Sequence, residues 1–86
     1  MRQPKNPSPQ PVINRLRRAH GHLNAIIAML SEDRPSTNIA QQLRAVEAAL
    51  ATAKQEFVHA HMQHCIEQRD MSGGALRELQ QLAKFL

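Results

Sequence analysis

Aromatic residues are nearly missing from this chain. Of 86 positions only Phe57 and Phe85 carry a phenyl ring, and tryptophan and tyrosine are absent. A core made of Ala, Leu, Ile, Val and Met alone is thin for so short a chain, because small domains bury only a modest share of their surface. Burial between copies of the chain is the expected supplement. Cysteine occurs once, at Cys65, which excludes an intrachain disulfide and suits a reducing cytoplasm. No apolar run approaches the roughly 20 residues of a membrane helix. No signal-peptide core is visible either, so a soluble cytoplasmic protein with no membrane partner is expected. Period-two strand patterns and internal repeats are also missing. Acidic residues are absent from the whole first third of the chain. Arg2, Lys5, Arg15, Arg17 and Arg18 all precede the first acid, Glu32, in a chain of net charge +4. Cations gathered at one end of a basic chain point to an anionic polymer as partner.

The segments that are present read as helices. Residues 1–11 hold four of the five prolines and no periodicity, and are expected to form a disordered basic arm ahead of a domain spanning 12–86. A first helix is expected from Pro11 to Leu30. Ile13, Leu16, His20, Leu23, Ile27 and Leu30 alternate steps of three and four, as in a coiled-coil seam, with Ile26 and Met29 widening it. Arg15 and Arg18 lie off that seam. Gly21, which weakens a helix interior by about 1 kcal/mol against Ala, suggests close helix packing. The run from Ser31 to Ser36 breaks the pattern, with Asp33 or Arg34 expected near the cap of the next helix and Pro35 in or beside its first turn.

The second helix is expected from Pro35 or Ser36 to Asp70. Ile39, Leu43, Val46, Leu50, Ala53, Phe57, Ala60 and His64 form one stripe, and Ala51, Lys54, Val58, His61 and Cys65 a second beside it. Two adjacent stripes imply two kinds of neighbour, the first helix and another subunit. Ser72-Gly73-Gly74 is expected to end this helix. A short third helix, Ala75 to Leu86, carries Leu76, Leu79, Leu82, Ala83 and Leu86 on one face. The expected fold is all-α: a long antiparallel hairpin plus a short third helix. A lone hairpin leaves apolar surface in water, and pairing into a four-helix bundle is the remedy.

Three of the five histidines and the cysteine fall within His59-Ala60-His61-Met62-Gln63-His64-Cys65. On a helix, His61, His64 and Cys65 project together while His59 points elsewhere. Imidazole and thiolate form a donor set for copper, zinc, nickel or cobalt. Two or three such groups do not complete a coordination shell, so another element must supply the rest. His20, on the first-helix seam, is either a core histidine or a further ligand.

The combination of Asn14-Arg15-Leu16, Gly21-His22-Leu23, Met29-Leu30, Gln41-Gln42-Leu43-Arg44-Ala45-Val46 and His61-Met62-Gln63-His64-Cys65 resembles the CsoR/RcnR family of bacterial repressors, which sense copper(I), nickel/cobalt or formaldehyde. The resemblance covers residues 12–86. It implies a homodimer built as a four-helix bundle and a dimer-of-dimers tetramer, with operator double-stranded DNA bound through basic helical surfaces and released when the effector binds. Arg15 matches a family position implicated in DNA contact; Arg17 and Arg18 join it on charge. Lys54 lies near a family basic position, while Thr52 stands where the copper sensors have arginine.

The resemblance also implies an effector site between protomers. His61 and Cys65 match the two positions contributed by one chain. The cysteine contributed by the other aligns with Ser36, a poor soft-metal ligand and, unactivated, a poor nucleophile. That substitution disfavours formaldehyde chemistry and a thiolate-rich copper(I) set. The N-terminal ligand position of nickel/cobalt sensors falls near Pro4, which has no side-chain donor. Glu78 matches a carboxylate that orients the metal histidine. His61 and Cys65 are therefore expected to bind the metal, with His64 or His20 completing the set. A metal-responsive repressor is the favoured function. A repressor whose sensing is lost or answers to a reactive small molecule, and a metal-handling helical protein that ignores DNA, are the alternatives. An enzyme is not expected.

Overall fold

The computed structural model describes residues 8–67 and 73–86. Three helices account for most of them: α1 (Gln10–Ser31), α2 (Ser36–Glu67) and α3 (Gly73–Ala83). The expected arm at 1–7 and the expected end of the second helix at Asp70 lie outside the described residues. Helix α1 starts at Gln10, so the last two residues assigned to the arm belong to the helix. Pro11 sits in the first turn, where its missing N–H removes no helical bond, and the Pro9 carbonyl accepts the Ile13 N–H at 2.9 Å.

The α1–α2 turn is tighter than expected. Asp33 adopts the left-handed region (φ 55°), and the Arg34 N–H reaches back to the Met29 carbonyl at 3.1 Å. That six-to-one bond is a Schellman closure, with Asp33 in the position glycine usually takes. Asp33 therefore ends α1 rather than capping α2. The Pro35 carbonyl caps α2 instead, accepting from the N–H groups of Asn38 (3.0 Å) and Ile39 (3.2 Å). At the far end, Gly73 and Gly74 open α3 rather than only closing α2, and α3 gives way to a turn after Ala83, three residues short of its expected end.

Helices α1 and α2 pack as an antiparallel hairpin, and α3 packs on α2. The residues the hairpin buries are few: Ala19 and Ile26 from α1, Val46 and Ala53 from α2. The expected α1 seam lies to one side of this contact. Leu16, Leu23, Ile27 and Leu30 remain 39–60% exposed, as do Leu43, Leu50 and Phe57 of α2 at 41–43%. The helices approach through alanine and valine, and the larger side chains line an open face. Gly21 is no close-packing residue within the chain, since a Cβ there would meet nothing within 4 Å.

The molecule measures 55 × 30 × 13 Å. Its shortest dimension is about one helix diameter, so the chain forms a single layer where stable domains stack at least two. Fully burying an Ile or Val contributes roughly 1.5–3 kcal/mol, and the described residues bury only Ile26, Val46 and Val58 among the larger aliphatic side chains. The larger apolar side chains lie on the open face instead.

Candidate functional site

The α1–α2 register follows from two side-chain contacts. Arg15 donates from Nε to Glu56 Oε2 at 2.7 Å, and half-buried His22 hydrogen-bonds Gln42 through Nε2. With Arg15 level with Glu56 and α1 starting at Gln10, the last part of α2 runs past the end of α1. Helix α3 returns over this overhang, where Val58 and Cys65 are buried.

His61 and Cys65 sit on that overhang, one turn apart. His61 Nδ1 lies 3.1 Å from the Phe57 carbonyl oxygen. A carbonyl only accepts, so Nδ1 carries the proton, and Nε2 keeps its lone pair for a metal or a proton. The imidazole also leans on the Phe57 ring, with centroids 4.3 Å apart. Phe57 thus holds His61 by its backbone and its side chain together, the kind of support that fixes a ligand's orientation. Cys65 is buried. Burial pushes its thiol above the ordinary value, and the Glu78 carboxylate, close enough to accept the thiol proton, pushes it further. Helix α3 thereby brings Glu78 to Cys65. His64 is half-buried next to them, and His59 is exposed.

Other expected members are elsewhere. Ser36 is exposed at the first residue of α2, about 38 Å along the helix axis from His61 at a rise of about 1.5 Å per residue. His20 is exposed on the open-face side of α1. The register places it level with the middle of α2, roughly 15–25 Å from His61 along the axis. One chain therefore brings neither residue to the His61–Cys65 pair. Among the described residues no group of three His, Cys, Asp or Glu side chains is placed to hold a metal ion. Among the described residues the paired candidate donors are His61 Nε2 and Cys65 Sγ, with His64 next to them. Their chemistry fits a soft or borderline metal as half of a site.

The cations proposed for nucleic acid divide between two sides of the hairpin. Arg15 and Arg18 line a cleft of about 300 Å³ with Gln10, Pro11, Asn14 and Glu56, and a second, smaller hollow with Ala19, His22 and Ala49. Lys54 lies on the opposite side, at the margin of an apolar groove formed by Val12, Leu16, Leu50, Ala53 and Phe57. Arg17 is exposed and, two residues from both Arg15 and Ala19, turns away from α2. Sequence reasoning gave no site role to Glu56, nor to Phe57 and Gln42, which it named only in the α2 stripe and in the family motif. The four-residue spacing of Phe57 and His61 was a usable signal for one of them. Nothing in sequence spacing marks Glu56, since its partner is 41 positions away.

A family model described as metal-sensitive transcriptional repressor matches residues 8–86. The copper-sensing transcriptional repressor CsoR of Mycobacterium ulcerans is 36% identical over 76 residues, covering 85% of this chain and 65% of that protein. CsoR of Bacillus subtilis is 30% identical over 71 residues, covering 83% and 70%. The chain spans just under two thirds of the length of the mycobacterial relatives it matches. Among solved structures, the nickel-responsive transcriptional regulator InrS superposes with a TM-score of 0.79 at 32% identity, over 94% of this chain and 96% of that one.

Proposed function

Because the chain belongs to the family of metal-sensitive transcriptional repressors, we propose that it is a repressor that binds operator DNA as a homo-oligomer and lets go when a transition metal binds between two copies. The observation that carries this reading is the half-site. A histidine whose Nδ1 faces a backbone carbonyl and a thiol stand one turn apart, no group of three His, Cys, Asp or Glu side chains among the described residues is placed to hold a metal ion, and an uncovered apolar face begins at Phe57, the residue that holds His61. A second hairpin laid antiparallel on that face forms a four-helix bundle and carries the first turn of its α2, with Ser36, toward the overhang of the first. Two-fold symmetry then makes two equivalent sites per dimer, and a pair of dimers gives the tetramer.

His61 Nε2 and Cys65 Sγ would hold the metal, with His64 beside them. A copper, zinc, nickel or cobalt ion would supply bonds linking the two chains. Phe57 orients the imidazole, and Glu78 favours the protonated Cys65 thiol while the metal is absent, so that metal binding would displace that proton and change the contact between α3 and the site. His20, on the face where the second hairpin docks, reaches a metal only across that interface. Arg15 and Arg18, with Arg17 and Lys54, contribute the positive charge that meets DNA phosphates. Metal that prefers the DNA-free form must weaken DNA binding by the same coupling factor.

Relatives sense copper or respond to nickel, and Ser36 favours a set richer in imidazole than in thiolate. One specific observation supports a second reading, a repressor with altered or lost sensing: the exposed hydroxyl of Ser36 stands where the resemblance calls for a cysteine. A titration of duplex DNA from upstream of the chain's own gene, repeated with copper(I), zinc, nickel, cobalt and formaldehyde, tests both. Release by one metal supports the first reading, and binding that no effector releases supports the second. No DNA binding at low salt overturns both.

A further inference from the structure

We propose that the cleft lined by Asn14, Arg15 and Arg18 is a seat for one backbone phosphate of DNA, and that Glu56 occupies it as a built-in competitor while the chain is free of DNA. This inference rests on the repressor reading above. The Arg15–Glu56 contact is the one ion pair that joins two helices among the described residues; the other, Arg34–Glu32, is local to the turn. Its 2.7 Å separation is that of a charge-assisted hydrogen bond. Both side chains stay open to water, at 42% and 37% exposure, so an incoming phosphate reaches the guanidinium without unfolding anything.

Only Nε of Arg15 is engaged, which leaves its terminal nitrogens for a second acceptor. Arg18 lines the same cleft and has no acidic partner among the described residues. Gln10 and Asn14, hydrogen-bonded to each other at 2.9 Å, form the polar wall. The cleft therefore offers two guanidinium groups and amide side chains around a space of about 300 Å³, with a carboxylate already in the position an anion would take. A phosphate bound there must share Arg15 with Glu56 or displace it, and in either case meets the carboxylate's charge at close range. Glu56 thus lowers DNA affinity and makes it depend on how firmly α1 and α2 are clasped at this level.

The test is an anisotropy titration of the upstream duplex with the full chain, metal-free, across a series of salt concentrations. Wild type is compared with Glu56→Gln, Arg15→Ala, the double variant, and Glu47→Gln as a control that removes the same charge from α2 away from the cleft. Glu56→Gln should bind about two- to fivefold more tightly at low salt for each protomer in contact with DNA, the range of an exposed ion pair. Glu47→Gln should show a clearly smaller change, and Glu56→Gln should add nothing beyond that control in the Arg15→Ala background. Helicity and melting of each variant verify that the hairpin is intact. If wild type binds and Glu56→Gln binds no tighter than Glu47→Gln, the competitor is overturned while the repressor reading stands. If wild type does not bind at low salt, the repressor reading fails and the phosphate seat fails with it.

Discussion

The two sides of the α1–α2 hairpin are built from the same two helices and differ in almost everything else. On one side Leu16, Leu23 and Ile27 of α1 stand with Leu43, Leu50 and Phe57 of α2, large, aliphatic or aromatic, and uncovered. On the other, Arg15, Arg18, His22 and Glu56 surround polar hollows. Between them runs a narrow seam of Ala19, Ile26, Val46 and Ala53. A single-layer protein has two outward faces and no interior to hide in, so each face must answer to something. In the proposed reading the apolar face answers to another copy of the chain, because contiguous apolar surface of this kind is removed from water by association. The polar face can stay wet and wait for an anion. On that reading assembly and DNA recognition are separated by helix rotation rather than by domain.

Changes that break the apolar face should have the largest effect. Leu50→Glu places a charge in the centre of that face, and burial of an unpaired carboxylate is costly enough to prevent docking. The oligomer seen by sedimentation should fall to a monomer whose helicity melts with little cooperativity, a loss of several kcal/mol of assembly free energy. An unchanged sedimentation coefficient would show that another surface joins the copies. Next comes the site at the end of that face. The double variant His61→Ala, Cys65→Ala should lose at least about tenfold in metal affinity, the scale on which disturbance of a metal's surroundings is felt, while still binding DNA; full retained affinity would place the metal elsewhere.

On the polar face, Arg15→Ala should weaken DNA binding and lower the slope of log affinity against log salt by about 1 for each phosphate left without its cation. An unchanged slope would remove Arg15 from the DNA surface. The smallest effects belong to positions that no neighbouring side chain claims. Gly21→Ala should raise stability by about 0.5–1 kcal/mol in denaturant unfolding, since the added methyl meets open space. A decrease instead would mean that α1 is approached closely there in the assembly. Asp33→Gly should add about 0.5 kcal/mol by relieving the left-handed strain at the turn.

Cys65 makes a prediction about pH that distinguishes the ends of the molecule rather than its faces. Its thiol value is raised on folding by burial and by Glu78, so the folded chain holds that proton more firmly than the unfolded chain. The associated stability is fully present below the ordinary thiol value of 9.0 and is lost as pH rises through the raised one. Thermal unfolding followed above pH 9.0 should show this decline in wild type and a smaller one in Cys65→Ala. The proposed metal binding should run the other way, strengthening with pH, because a thiolate rather than a thiol binds metal.

The sequence carried the three helices and the His61–Cys65 pair because both are local. Helical periodicity and a four-residue spacing need no knowledge of what lies across the fold. The two adjacent stripes of α2 implied the first helix and another subunit as neighbours, and within the chain the second neighbour is α3. Which stripe met which neighbour was hidden. A row such as Ile13, Leu16, His20, Leu23, Ile27 and Leu30 is the same in sequence whether its partner is the other half of the hairpin or a second molecule. The hairpin itself closes on Ala53, which the α2 stripe included, and on Ala19, a residue too small to stand out in the α1 pattern. The left-handed Asp33 was hidden for a related reason, since glycine marks that backbone position and aspartate does not. Glu56 was invisible because an acid on a solvated helix looks like every other until the register sets it beside Arg15.

The separation of Ser36 from His61 by nearly the full length of α2 has a consequence for how such a sensor reports. In the proposed reading a site completed by a second copy exists only in the oligomer, so metal capture becomes second order in protein at concentrations where the copies dissociate. At low abundance the half-sites are filled weakly whatever the metal level, and as the chain accumulates the metal concentration needed for half-saturation falls. A cell that makes more of this protein would thereby lower its own alarm threshold, with the expression level acting as a gain control on the response.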